Sequence, residues 1–161
     1  MAVGGHISVP TAIFYWISQL LGSILACLLL KATTAGERIP LFKIADEMTG
    51  FGGSFMEGII TFALVYTIFV TGGRFGNGPD KVFGPLAIGL VAGAGVLASG
   101  PFSGGSMNPA CTFGSAIVAG KFKNQAVYWI GPLIGAAVAG LLYEGMAAQT
   151  TSDPVNDPAR V

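Results

Sequence analysis

Residues 103–114 read SGGSMNPACTFG, and the Asn-Pro pair at 108–109 decides how this chain folds. Asn followed by Pro normally marks a turn. Here it lies inside 82–120, a run without a single charged residue. One straight helix crosses a hydrocarbon core of about 30 Å in about 20 residues, so a run of this length must fold back or break. The pattern predicts a span that ends near Ser99, a loop over "GPFSGGS", and a new helix that starts at Asn108. Pro109 then takes the first helical position, where a missing N–H costs nothing. From Asn108 to Gly120 the new helix would be about 18 Å long, half a bilayer. The loop therefore dips to mid-membrane, and the half-helix runs back out to the side from which the loop entered.

Working outward, the composition agrees with a membrane as solvent. The chain of 161 residues is 52% hydrophobic and 10% charged, with zero formal net charge. Its mean hydropathy is +0.69. A soluble domain carries far more charge. With neither a basic patch nor an acidic tail, nucleic-acid binding is excluded as an expectation. The 25 Gly residues are read as sites of close helix approach rather than as linkers. Cys27 and Cys111 both lie in apolar segments, so neither a disulfide framework nor a zinc site is expected, and no cofactor is implied. His6 is the only histidine, which leaves little for catalysis to be built on. The first residues lack the Lys or Arg of a signal peptide, and the first apolar stretch is read as a retained span.

Charged residues divide the chain into expected spans at 7–30, 51–73, 83–99 and 124–145, with the re-entrant loop and half-helix at 100–120. Pro10 near the start of the first span is tolerated there. A polar connection runs from Lys31 to Glu47, and "RFGNGPDK" from Arg74 to Lys81 is a turn. Tyr128 and Trp129 open the last span where an interfacial aromatic belt would lie. The transmembrane domain is thus expected over 1–147 and a disordered, Pro-containing tail over 148–161. One membrane face receives Lys31, Arg38, Lys43, Lys121 and Lys123, and the other Arg74, Lys81 and Arg160. The positive-inside rule weakly places the first group in the cytosol.

A loop at membrane depth is allowed only where its backbone is buried in protein or lines a wet cavity. Residues 100–107 are therefore expected to present carbonyls along an aqueous path. The half-helix points its N-terminus, with a partial positive charge, at mid-membrane and repels cations and protons there. The Asn108 side chain can cap that helix through its carbonyl and offer its amide to a passing solute. A neutral hydrogen-bonding solute such as water suits these groups. Glu57, an acid inside a span, is read as a brace in a buried hydrogen-bond network.

"GGSMNPA" followed by "TFG" resembles the second Asn-Pro-Ala box of the aquaporin family. "EGIITFALVYTIFVT", "GPLAIGLVAGAGVLASGPFSGGSMNPA" and "VYWIGPLIGAAVAGLLYE" are similar to the plant tonoplast intrinsic proteins, and Cys after the box with "KNQAVYW" to their divergent subgroup five. The resemblance covers residues 1–144. It implies an all-α membrane protein with an aquaporin-like helical bundle in a vacuolar or other internal membrane. By position, Asn108, Pro109 and Ala110 match the family's central constriction. Cys111, Gly105 and Val96 match three residues of its narrow selectivity filter. Most members place Arg at the Cys111 position. A small thiol there, with Gly105 and Val96, implies a wider and less polar gate. The resemblance thus implies passage of water and small neutral solutes such as urea, ammonia, glycerol or hydrogen peroxide. It implies further that Glu57 supports the re-entrant loop. Phe42 in the long connection is read as a packing aromatic.

The family is built from two inverted repeats, each with three spans and one half-helix. This sequence holds one box and four spans, so it reads as an N-terminally truncated member, incomplete by two spans, one half-helix and the filter residue of the second span. "MAVGGHISVPTAIFYW" resembles the region after the first box. The family topology puts the C-terminus in the cytosol, against the charge count, and is preferred. Two functions follow: a channel subunit in a homo- or hetero-tetramer, or a non-conducting membrane protein associated with full-length subunits. A secondary transporter is set aside because Glu57 lacks an evident partner cation inside the spans.

Overall fold

The computed structural model describes residue 5, residues 7–72 and residues 80–152. His6, most of the expected 74–81 turn, and residues 153–161 with Arg160 lie outside the described residues.

Five helices follow in order: α1 Val9–Thr33, α2 Gly50–Gly72, α3 Asp80–Ser103, α4 Pro109–Ala119 and α5 Gln125–Ser152. Four of them are long and apolar enough to cross a membrane, and the fifth, α4, has 11 residues. This is an integral, multi-pass, all-α membrane protein. The start of α1 follows from local chemistry. Ser8 caps it by accepting from the Thr11 backbone N–H at 3.3 Å, and Pro10 sits in the first turn.

α2 and α5 form the tightest pair, and small residues make it so. Gly131 and Gly135 on α5 face Ser54 and Gly58 on α2, each pair four residues apart. A Cβ on Gly131 would collide with the Ser54 carbonyl oxygen, and one on Gly135 with that of Gly58. Backbones touch along this seam as they do in small-xxx-small pairs in lipid, where packing replaces the hydrophobic drive. Phe69 and Tyr143 stack farther along the same pair, with ring centroids 5.2 Å apart. α3 lies against α2, with Thr71 seated over Gly84.

α1 leans on α4. Ser23 of α1 donates its hydroxyl to the Ala110 carbonyl, and a Cβ on Gly114 would lie 2.6 Å from the Ser23 carbonyl carbon. Trp16 meets Trp129 edge-on at 5.6 Å, and Phe113 meets the same ring at 5.9 Å. Yet α1 has no buried residue.

Two helix ends and one connection depart most from the sequence expectation. α3 does not stop near Ser99 but continues through Pro101 to Ser103. A proline in the last turn removes one N–H and leaves the rest of the helix intact. The helix ends where Gly104 takes φ +90° and donates to the Gly100 and Ser99 carbonyls at 3.1 and 3.3 Å. α5 extends to Ser152, so residues 148–152, expected in a disordered tail, are helical. The 34–49 connection is more than a polar link: Ile39 and Ile44 are buried, and the Ala45 N–H donates to the Phe102 carbonyl at 2.7 Å.

Candidate functional site

Only residues 104–108 separate α3 from α4. This short loop needs unusual backbone. Gly104, Gly105 and Met107 have φ of +90°, +63° and +52°. Glycine adopts that region freely, whereas Met107 is strained there and must be held by its surroundings.

Glu57, fully buried on α2, does the holding. Its Oε1 accepts from the Ser103 hydroxyl at 2.6 Å and the Ser106 N–H at 3.1 Å, and its Oε2 accepts from the Met107 N–H at 2.8 Å. A carboxylate out of water is costly unless its oxygens are met by donors, and here three donors meet them. A second brace comes from α5, where the buried Tyr128 hydroxyl donates to the Ser103 carbonyl at 2.8 Å. The carbonyls of Gly104, Gly105 and Ser106 accept no hydrogen bond from any described residue.

α4 then begins. Asn108 is its N-cap, and the Asn108 Oδ1 accepts from the Ala110 N–H at 2.9 Å. Its carbonyl accepts from the Ser106 hydroxyl at 2.9 Å. With the oxygen engaged by the helix, the side-chain NH2 is left as a donor on an exposed residue. Pro109 fills the first turn, and Ala110 is buried beneath Ser23. Cys111 follows in the first turn of α4, and the residue is exposed.

Gly105 and Val96 are brought together. A Cβ on Gly105 would lie 2.9 Å from the Val96 Cα and 2.8 Å from the Ser99 Oγ, so no side chain fits there. Val96 itself is 46% exposed. The structure thus brings Gly105 against Val96, while Asn108 and Cys111 are exposed at the start of α4.

The family model described as major intrinsic protein matches residues 1–143. The chain belongs to the major intrinsic protein family. It is 58% identical to the probable aquaporin TIP5-1 of Arabidopsis thaliana over 153 residues, which cover 95% of this chain and 59% of that protein. It is 52% identical to the probable aquaporin TIP5-1 of Oryza sativa subsp. japonica, over 98% of this chain and 61% of the relative. Aquaporin TIP2-1 of Arabidopsis thaliana is 54% identical over 89% of this chain and 57% of its own length. The chain therefore spans about three fifths of the length of these curated relatives.

In this member of the major intrinsic protein family, three supports were not read from the sequence. Tyr128 was expected in an interfacial belt; it is fully buried, with its hydroxyl on the loop. A buried Tyr must find a partner for its hydroxyl, so a Tyr four residues from the polar Asn124 gave no sign of which side it would face. Ser103 and Ser23 are the others, each a small hydroxyl in an apolar run whose partner lies far along the chain. Phe42 packs over Gly104 and against Tyr128, with ring centroids 6.0 Å apart.

Proposed function

We propose that this chain forms part of the wall of a passive membrane channel for water and small neutral solutes, with urea, ammonia, glycerol and hydrogen peroxide as candidates, and that it excludes protons and ions. It acts without cofactor or catalysis, in a vacuolar or other internal membrane, and assembles with like subunits as a homo- or hetero-tetramer. The observation that carries this reading is Asn108, an exposed residue whose side-chain oxygen caps α4 directly after a loop whose Gly104, Gly105 and Ser106 carbonyls accept no hydrogen bond from a described residue. Asn108, Pro109 and Ala110 form the constriction, Val96, Gly105 and Cys111 line the filter, and Glu57 holds the loop. The names of the relatives support the same reading. Cations are repelled where the N-terminus of α4 carries about half a positive charge. Breadth of solute follows from the filter: thiol, hydrogen and isopropyl side chains leave more room and less charge than a guanidinium would.

A second reading is a non-conducting partner of full-length subunits. It is favoured by α1, which buries no residue, and by the open exposure of Asn108 and Cys111. Stopped-flow osmotic shrinkage of proteoliposomes separates the two, using this chain, empty vesicles and Cys111→Ser, with and without a mercurial. Fast flux that mercurial blocks only when Cys111 is present supports a pore past that residue. Flux equal to empty vesicles, from inserted protein, overturns conduction by this chain and leaves the partner reading.

A further inference from the structure

We propose that this chain pairs with a second copy of itself through α1, with the Gln19 amides of the two copies hydrogen-bonded to each other in the middle of the membrane. The inference goes beyond the channel reading and does not depend on whether the chain conducts.

α1 is a span with little to lean on. Among the described helices its backbone approaches only that of α4, and it buries no residue. Its first half stands away from α2 and α5 and leaves a cleft of about 610 Å³. Ile13, Trp16 and Gln19 of α1 wall this cleft on one side, and Val65 and Phe69 of α2 with Leu133 of α5 on the other. Gln19 is the misfit. It lies about 15 Å into a helix of 25 residues, near mid-membrane. The residue is exposed, and its side-chain amide bonds to no described residue.

An unpaired amide in hydrocarbon is costly, so a polar side chain inside a span is met by protein or by water. Apolar walls give water few partners here, and an acyl chain would fill the cleft but leave the amide unmet. The occupant must bring both a donor and an acceptor to the depth of Gln19. A second copy does so by symmetry. Both copies insert the same way round, so a two-fold pair has its axis along the membrane normal and sets the two α1 helices parallel, with identical residues at equal depth. Gln19 then meets Gln19, and each amide donates its NH2 to the oxygen of the other.

The same face of α1 permits close approach. Tyr15, Gln19, Gly22 and Ala26 recur at the three-four spacing of one helix face, and all four are exposed. A Cβ on Gly22 would meet nothing within 4 Å, and Ala26 follows one turn later. Gly131 and Gly135 use this small-xxx-small spacing to seat α5 on α2; on α1 it has no neighbour within the chain. Small residues and interhelical hydrogen bonds are the two devices by which spans associate in lipid, and this face carries both.

Sedimentation equilibrium of the full chain in density-matched micelles measures the association, and oxidative cross-linking in phosphatidylcholine vesicles locates it. Native protein should associate in multiples of two. Gln19→Leu should weaken the association about tenfold and Gly22→Leu at least as much. Leu21→Ala, 62% exposed and about 100° around the helix from Gly22, should leave it unchanged. For cross-linking, Cys27→Ser/Cys111→Ser protein carries either Gly22→Cys or Leu21→Cys. Gly22→Cys should yield a covalent dimer and Leu21→Cys should not; if a leucine variant fails to insert, this comparison decides alone. A monomer at every protein-to-detergent ratio, association untouched by Gln19→Leu and Gly22→Leu, or cross-linking that favours Leu21→Cys overturns the proposal and assigns the cleft to a different chain or to lipid.

Discussion

The Glu57 carboxylate and the Met107 amide, 50 residues apart in sequence, are joined by a 2.8 Å hydrogen bond that fixes the loop ahead of the half-helix. Met107 carries φ +52°, a conformation it would leave if released. The loop is thus held in shape from α2.

Glu57→Gln keeps the volume but replaces one acceptor oxygen by an NH2 that faces donors. Thermal unfolding in detergent should show a loss of about 2–4 kcal/mol. Hydrogen exchange should speed up at the Ser106 and Met107 amides well before it does in α5. Unchanged protection of both amides would remove Glu57 from the role of brace.

Gly105→Ala places a methyl 2.9 Å from the Val96 Cα at φ +63° and should cost about 3 kcal/mol or more. Gly120→Ala makes a useful contrast. Its φ is +65°, but nothing lies within 4 Å of the new Cβ, so only the backbone penalty of about 1 kcal/mol remains. Denaturant titration of the two variants measures the difference.

Gly135→Leu drives a side chain into the Gly58 carbonyl and should part α2 from α5, at a cost of about 3 kcal/mol. Gly89→Leu, on α3 with open space around its Cα, should stay within about 0.5 kcal/mol of native. Melting followed by circular dichroism in matched micelles reports both.

Tyr128→Phe retains the ring against Phe42 and deletes the bond to the Ser103 carbonyl, for an expected loss of about 1 kcal/mol. Paired with Glu57→Gln in a double-mutant cycle, it should show coupling, because both act on Ser103. Strict additivity would mean that the two braces work separately.

Cys111 is exposed and Cys27 half-buried. A water-soluble maleimide should therefore modify Cys111 first, and peptide mass spectrometry of a time course reads the order. Preferential labelling of Cys27 would place Cys111 away from water.

The break at Asn108 and the brace at Glu57 were legible in the sequence because each violates a local rule: a turn pair and an acid stand where lipid-facing residues belong. The four spans were legible from their length in apolar residues. The end of α3 was not, because Gly100 and Pro101 look like a stop, while the helix in fact closes on the φ +90° of Gly104. The inward packing of Ile39 and Ile44 was hidden by charged neighbours in a stretch with no periodicity. The partners of Gly131 and Gly135 could not be read either, since a small residue announces close approach without naming the backbone it approaches.

The 11 residues of α4 are too few to settle across a bilayer alone, and three other helices hold its approach: α1 through Ser23, α2 through Glu57 and α5 through Tyr128. During synthesis, α1, α2 and α3 leave the ribosome before it, and α5 leaves after. The supports from α1 and α2 are thus available when α4 is made, and the one from α5 comes later. A chain stalled before Tyr128 would carry every residue of the loop without one of its three supports.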